Sequence, residues 1–248
     1  MSFSKIARVY DRFNDISSYE DWLDFTLNSL SEQPQKALDV ACGTGWFPVM
    51  LQAFVGEMTA IDIDEEMLKI AKKEDPNSQI IYRQADMLAL EDYANQYDLV
   101  TCFADSLCFL DNETQVTTAI QQMFNALKSG GTLLFDVWTP YQVTSGFKDF
   151  SYFDSDEKGA IMWDSEVDEQ HLQVEHYLTV FDQMSSDGLY QRFDTVLTEK
   201  TYPLDFYQSI LAKLPTQSIE VLVDFGVDGY RPKRHSTTER WFFRVVKK

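Results

Sequence analysis

The chain has 248 residues, of which 44% are hydrophobic and 25% charged, and it carries a formal net charge of −19. Those proportions are those of a globular protein with enough chain for one large domain, or for one domain with an insertion. So acidic a field repels phosphate backbones and argues against DNA or RNA as a partner, and no apolar run approaches the about 20 residues that cross a bilayer.

Residues 1–35 read as a helical lead-in. Tyr10, Phe13, Tyr19, Trp22, Leu23 and Leu27 recur at helical spacings, and Ser17 or Ser18 can cap a second helix after Asn14 and Asp15. This many aromatics ahead of the first strand suit either a lid over a flat ligand or a cover for a sheet edge. No apolar stretch follows a charged start, so no leader peptide is predicted. Strand one spans 36–41, and a helix over about 45–54 tolerates Pro48 in its first turn. Strand two spans 58–63. The helix over 65–73 starts acidic and ends in lysines, as its dipole prefers. Strand three covers 79–83, strand four 98–103, and a long helix runs from 113 to 127 and stops at Ser129-Gly130-Gly131. Strand five, 132–137, ends in Asp136-Val137-Trp138.

Beyond Pro140 the period changes from helical to alternating. Segments 161–166, 171–181 and 189–199 read as antiparallel strands, with a turn at Ser185-Ser186-Asp187-Gly188. Leu172, Val174, Leu178 and Val180 line one face, with His176 among them. A helix over 203–214 and strands over 218–224 and 240–246 close the chain. The predicted fold is α/β: a doubly wound, mostly parallel seven-stranded sheet with helices on both faces, plus a small antiparallel β insertion. The corresponding division is a helical lid over 1–35, a main domain over 36–140 and 201–248, and an insertion over 141–200. Cys42, Cys102 and Cys108 lack metal-ligand or CxxC spacing and fit reduced thiols in a cytoplasmic setting, so no metal is expected.

Ligands of such sheets sit beyond the carboxyl ends of the strands. There the chain places Gly43, Thr44 and Gly45 after strand one, Asp62 after strand two, Asp86 and Met87 after strand three, and Phe103 after strand four. A glycine turn lets a ligand approach the backbone, and a carboxylate at position 62 can accept both hydroxyls of a ribose. Asp64 is the natural cap of the following helix, which leaves Asp62 free. A dinucleotide turn needs a third glycine where this chain has Pro48, and Trp46 and Phe47 crowd a pyrophosphate path. The turn suits a ligand without phosphates.

The stretches Leu38-Asp39-Val40-Ala41-Cys42-Gly43-Thr44-Gly45, Ala60-Ile61-Asp62-Ile63-Asp64 with Met67-Leu68, Gln84-Ala85-Asp86-Met87, Asp98-Leu99-Val100 and Leu127-Lys128-Ser129-Gly130-Gly131-Thr132-Leu133 resemble, in order and spacing, the class I S-adenosylmethionine-dependent methyltransferases. The resemblance covers about 36–138. The remainder is similar to a bacterial small-molecule subgroup, broadly like the glycine N-methyltransferases, with Tyr10-Asp11-Arg12-Phe13 resembling its cofactor lid. Ala41 departs from the family, where a glycine is usual. The resemblance implies S-adenosyl-L-methionine as cofactor. It also implies that the 43–45 turn holds the methionine moiety, with Ala41, Phe103 and Asp39 near its ammonium. Asp62 would then bind the ribose, Ile63 and Met67 the adenine face, Asp86 and Met87 the adenine edge, and Tyr10, Tyr19 and Trp22 would close over the top.

The sulfonium is already a strong electrophile, so the protein needs to align an acceptor and remove one proton. Asp105 and His176 are the candidate bases, with His235 behind them, and Ser106, Tyr141 and Arg192 are candidate substrate contacts. His176 alone on an apolar face also fits a structural histidine. The expected activity is methyl transfer to N or O of a small molecule by a monomer or homodimer, without nucleic acid or membrane. A protein or RNA methyltransferase, a non-catalytic cofactor-binding module and, less favoured, a nicotinamide oxidoreductase stay open.

Overall fold

The computed structural model describes residues 12–13, 17–75, 77, 79–183, 188–231, 233 and 236–248. Tyr10, Arg234, His235 and the turn residues Ser185, Ser186 and Asp187 lie outside the described residues.

After helix α1 (Ser17–Asn28) come β1 (Lys36–Val40), α2 (Trp46–Gln52), β2 (Glu57–Asp62), α3 (Glu65–Glu74), β3 (Ile80–Gln84), β4 (Tyr97–Cys102), α4 (Glu113–Ala126) and β5 (Leu127–Trp138). Four strands follow, β6 (Ser151–Asp156), β7 (Gly159–Asp168), β8 (Gln173–Gln183) and β9 (Tyr190–Lys200). The chain then returns through α5 (Leu204–Leu211), β10 (Thr216–Val223), the two-residue β11 (Asp228–Gly229) and β12 (Arg240–Lys247).

The main sheet runs in the order β11-β10-β12-β5-β4-β1-β2-β3. The seven long strands are those expected, and β11 adds a short eighth at the edge. The pairs β5–β4, β4–β1, β1–β2 and β2–β3 are parallel, whereas β12 is antiparallel to both β5 and β10. The chain leaves β1 toward β3 on one side and returns through β4 on the other. The order therefore reverses between β1 and β4, and a crevice opens beyond their carboxyl ends.

Strand periodicity of two sorts the core into two layers. Leu38, Val40, Val100, Cys102, Leu133, Phe135, Trp241 and Phe243 face α4 and α5, whose Ile120, Phe124, Tyr207 and Leu211 are buried against them. Ala37, Leu99, Leu134 and Phe242 face the other way, against Trp22 and Phe25 of α1, Phe47 and Leu51 of α2 and Leu68 of α3. Phe25 stacks edge-on to Phe242 at 5.2 Å and to Phe103 at 6.0 Å. Helix α1 is thus part of the core as well as a cover.

The helix expected to run to 127 ends at Ala126, because Leu127 is already extended and pairs with Tyr97. Gly130, with φ of 79°, sits in a bulge of β5, between the Tyr97–Leu127 and Leu99–Thr132 pairs, instead of capping a helix. The second sheet is the antiparallel meander β6-β7-β8-β9. Its first strand was not predicted, since every residue of β6 is exposed and Asp154-Ser155 interrupts its pattern. Val174, His176, Leu178 and Val180 share the buried face of β8, while Leu172 lies just outside the strand with φ of 51°. Among the described residues no helix is long and apolar enough to cross a membrane.

Candidate functional site

The turn after β1 uses three left-handed residues: Ala41 (φ 60°), Gly43 (φ 55°) and Gly45 (φ 87°). The two glycines serve different ends. A Cβ on Gly45 would meet the Ala71 Cβ at 2.7 Å, so this glycine lets α2 approach α3. A Cβ on Gly43 would find nothing within 4 Å, so this glycine faces open space. Ala41 holds the same backbone region without the freedom of glycine, which costs about 1–2 kcal/mol.

Asp62 ties this turn to β2. Its carboxylate accepts the Gly43 N–H at 2.8 Å and the Asp64 N–H at 2.8 Å. Asp64 caps α3 as expected, accepting from Glu66 and Met67. Asp62 is therefore not free, contrary to the expectation from the sequence; it holds the bend. Asp39 is buried at the end of β1 and accepts from Thr101 Oγ1 at 2.6 Å. Burial pushes Asp39 up to about 7, the Thr101 hydroxyl pulls against this and Asp62 adds to it.

These groups line one hollow of about 170 Å³. Tyr19 and Trp22 come from α1, Asp39, Ala41, Gly43 and Thr44 from the first turn, and Asp62, Ile63 and Met67 from the second. Met87 follows β3, and Phe103 and Ser106 follow β4. Ile63 is 64% exposed there, an apolar face waiting for a flat apolar partner. Among the described residues that line it there is no lysine or arginine, and there are three carboxyls, Asp39, Asp62 and Asp64. That donor set suits a cationic ligand and gives a pyrophosphate nothing to pair with. Gly45 stands behind the hollow, against Ala71. Asp86 is not in the lining either; its Oδ1 accepts the Leu88 N–H at 2.9 Å and shapes the turn that presents Met87.

A second cavity, of about 290 Å³, shares Tyr19, Trp22, Ala104 and Phe109 with the first. Its walls are aromatic and aliphatic, from Phe147, Trp138, Tyr152, Trp163, Leu178 and Leu197, and the meander forms its roof. Arg12 fastens the N-terminal segment to that roof through Asp156 at 2.7 Å and Asp182 at 2.8 Å. Gly159 lies beneath it, where a Cβ would collide first with the Phe181 carbonyl oxygen and then with the Arg12 guanidinium at 2.9 Å.

Charge is concentrated at one end of this second cavity, where Asp105, Glu199 and Arg240 line it. Ala104 and Asp105 are both left-handed, with φ of 54° and 52°, and this strained pair turns Asp105 toward Arg240. Arg240 donates to Asp105 at 2.8 Å and to the fully buried Asp136. Its guanidinium lies 3.6 Å from the ring centre of Trp138 and 5.6 Å from that of Trp22. Burial pushes Asp105 and Glu199 each up to about 7; Glu199 adds to the rise at Asp105 and Arg240 opposes it there, while at Glu199 Trp138 opposes it first, ahead of Arg240 and Asp105. Burial also raises Asp136, to about 6, against the pull of Arg240. For Arg240 the two aspartates outweigh burial and hold the charge in place.

His176 is fully buried and does not line the cavity. Its Nδ1 lies 2.7 Å from Ser165 Oγ, its Nε2 lies 3.4 Å from Glu199 Oε1, and Phe147 and Trp163 pack edge-on against the ring. Burial lowers it to about 4, so it is neutral at pH 7. Tyr141 begins the helical turn after β5 and Arg192 pairs with Asp194 on the exposed face of β9; neither lines either cavity.

Glu199 and Arg240 were not foreseen. The available signal was phase: in β9 the acid at 199 falls on the same face as Leu197 and Phe193, and in β12 the arginine at 240 falls on the face of Phe242.

A family profile described as a methyltransferase domain matches residues 37–131. The putative methyltransferase YqeM of Bacillus subtilis is 32% identical over 248 residues, spanning 100% of this chain and 98% of that protein. The ubiquinone/menaquinone biosynthesis C-methyltransferase UbiE of Shewanella pealeana is 35% identical over 144 residues, 53% of this chain and 55% of its own length. Among solved structures, an S-adenosylmethionine-dependent methyltransferase from Clostridium acetobutylicum superposes with a TM-score of 0.80 at 22% identity, covering 99% of this chain and 98% of that one. The sugar N-methyltransferase KedS8 from Streptoalloteichus superposes with a TM-score of 0.77 at 20% identity, covering 96% and 92%.

Proposed function

This chain belongs to the class I S-adenosylmethionine-dependent methyltransferases, and from that premise we propose that it methylates a nitrogen or oxygen atom of a small molecule held under the β insertion. The observation that carries this reading is the second cavity: it shares a wall with the cofactor hollow and is roofed by β7, β8 and β9. An enzyme acting on a protein or RNA needs an open cleft, and the net charge of −19 adds repulsion against RNA. The UbiE match spans 53% of this chain and 55% of its own length, so it supports methyl transfer without carrying C-methylation across.

The residues of the first hollow fit the cofactor. Asp62 takes the ribose hydroxyls, Ile63 and Met67 flank the adenine, and the Met87 backbone reads its edge on a turn built by Asp86. Asp39 and the backbone from Ala41 through Thr44 receive the methionine end, with Phe103, Tyr19 and Trp22 closing the side toward the acceptor. When bound, S-adenosylmethionine supplies a methyl group on a positively charged sulfur, already activated for displacement. The chain's work is then alignment and proton removal. Alignment of two bound reactants contributes through effective molarity. In the second cavity Asp105 and Glu199, raised toward neutrality, are the groups that can accept a proton near pH 7. His176 stands behind Glu199 as a positioning residue. Helix α1 and the strands of the insertion enclose the acceptor between them.

The test uses cofactor labelled in the methyl group and a cell lysate separated by size. The proposal expects label in the small-molecule filtrate; label confined to protein or RNA would overturn it.

A further inference from the structure

Resting on that reading of the second cavity, we propose that its acceptor is an amine which enters as an ammonium ion on an apolar, ring-sized body, and that Glu199 is the group that receives it. Three carboxyls surround the charged end, Asp105, Asp136 and Glu199, against one guanidinium. Arg240 spends its hydrogen bonds on Asp136 and Asp105. Glu199 is only 5% exposed, lines the cavity and has Oε2 buried without a hydrogen-bond partner. His176 Nε2, beside it, is buried in the same condition.

His176 cannot neutralise Glu199, because burial keeps the ring uncharged at pH 7. Its Nε2 lies 3.4 Å from Glu199 Oε1 without forming a hydrogen bond, and its Nδ1 side is taken by Ser165 Oγ at 2.7 Å. The other Glu199 oxygen, Oε2, is buried and unpartnered on a side chain that lines the cavity. A buried carboxylate left like this is costly, and the occupant that relieves it must bring both a donor and a positive charge. A hydroxyl brings the donor alone, and an anion brings neither.

The walls agree with this assignment. Trp138 packs on Arg240 and Phe147 and Trp163 pack on His176 at the charged end, and aromatic faces attract a cation while packing the apolar body behind it. An ammonium that gives one proton to Glu199 Oε2 leaves a neutral amine with a free lone pair and a neutral carboxylic acid, so charge is conserved within the cavity. Burial has already brought Glu199 to about 7, nearer to an amine than an ordinary carboxyl stands.

The experiment is calorimetric titration of the full chain, saturated with S-adenosylhomocysteine, with three probes of matched size: phenethylamine, phenethyl alcohol and phenylpropionate. The expected order is amine tighter than alcohol by about tenfold, with phenylpropionate weakest. Glu199→Gln should bring amine and alcohol within about twofold of each other. Retained S-adenosylhomocysteine binding shows that each variant is folded. Equal or tighter binding of the alcohol by the unsubstituted chain, no binding of any probe, or an amine preference that survives Glu199→Gln each overturns the inference. Leu178→Phe, which narrows the cavity, separates the two levels. If it abolishes binding of probes that show no amine preference, the amine inference falls and the acceptor cavity stands. If probe binding ignores it, the cavity reading falls as well.

Discussion

Replacing Arg240 with methionine removes the one cation among three buried carboxyls while keeping an apolar stem against Trp138. The consequence depends on pH, and its sign follows from the environment. Asp105, Asp136 and Glu199 sit at about 7, 6 and 7 with Arg240 present, far above ordinary carboxyls; Arg240 is the main restraint on the two aspartates and, after Trp138, a restraint on Glu199. A carboxyl raised on folding contributes stability at low pH and loses it as pH climbs through its folded pKa. In Arg240→Met that loss deepens. At about pH 8.5 the variant must either hold uncompensated buried charge or carry protons against the solution, and breaking a buried pair in this way costs about 3–5 kcal/mol. At about pH 5.5 the carboxyls are protonated in the folded chain, and what is lost is mainly the stacking of the guanidinium on Trp138, on the order of 1–2 kcal/mol. Urea denaturation at the two pH values, followed by tryptophan fluorescence, reads the difference directly. A cost equal at both pH values, or larger in acid, would refute the reasoning.

Other outcomes follow from the same geometry. Glu199→Gln should flatten the decline in stability between about pH 6.5 and 8.5 by on the order of 1 kcal/mol, since Glu199 is raised to about 7; His176, lowered to about 4, acts only below that window, where acid removes the stability its neutral form provides. A thermal melt series across the window checks this, and an unchanged slope counts against the buried carboxyl. Gly45→Ala should destabilise by about 2–5 kcal/mol, from the clash with Ala71 plus the left-handed backbone, whereas Gly43→Ala should cost about 1–2 kcal/mol and instead reduce S-adenosylhomocysteine affinity. The pair is compared by chemical denaturation and calorimetry, and equal losses of stability would mean that Gly43 does not face the ligand. Ala41→Gly should be neutral to stabilising, by up to about 1 kcal/mol, because the left-handed strain is relieved while the unfolded chain gains freedom; a clear loss of stability would show that the methyl group is packed and not merely tolerated.

Much of the cofactor side was legible because its signals are local. Strands β1 to β4 lie within one residue of their expected bounds, and the residues at their carboxyl ends are fixed by the strand that delivers them. Asp39, Gly43, Asp62, Ile63, Met67, Met87 and Phe103 accordingly meet in one hollow. The detail that failed was Asp62, expected free and found holding Gly43, because a hydrogen bond from β2 to the turn after β1 depends on strand pairing and not on sequence neighbours. The second cavity was legible only in fragments. His176 and Asp105 were picked out singly, yet their meaning comes from Glu199 and Arg240, 23 and 135 residues away along the chain. Only the register of β8 against β9, and of β12 against β5, brings them together. Arg192 illustrates the reverse: on an alternating strand it takes the solvent face, where Asp194 satisfies it. The bulge at Gly130 escaped notice for a similar reason, since a glycine pair after a helix reads locally as a cap.

The central claim is that carboxyls at neighbouring strand ends and a glycine turn without phosphate partners form a seat for an adenosyl sulfonium. Calorimetric titration with S-adenosylhomocysteine and with NADH, on the unsubstituted chain and on Asp62→Ala, tests it most directly. The account predicts that S-adenosylhomocysteine binds, that NADH does not, and that Asp62→Ala weakens binding by about tenfold or more, through the lost ribose contact and the released Gly43 N–H. Binding of NADH in place of S-adenosylhomocysteine, or an affinity untouched by Asp62→Ala, would contradict it.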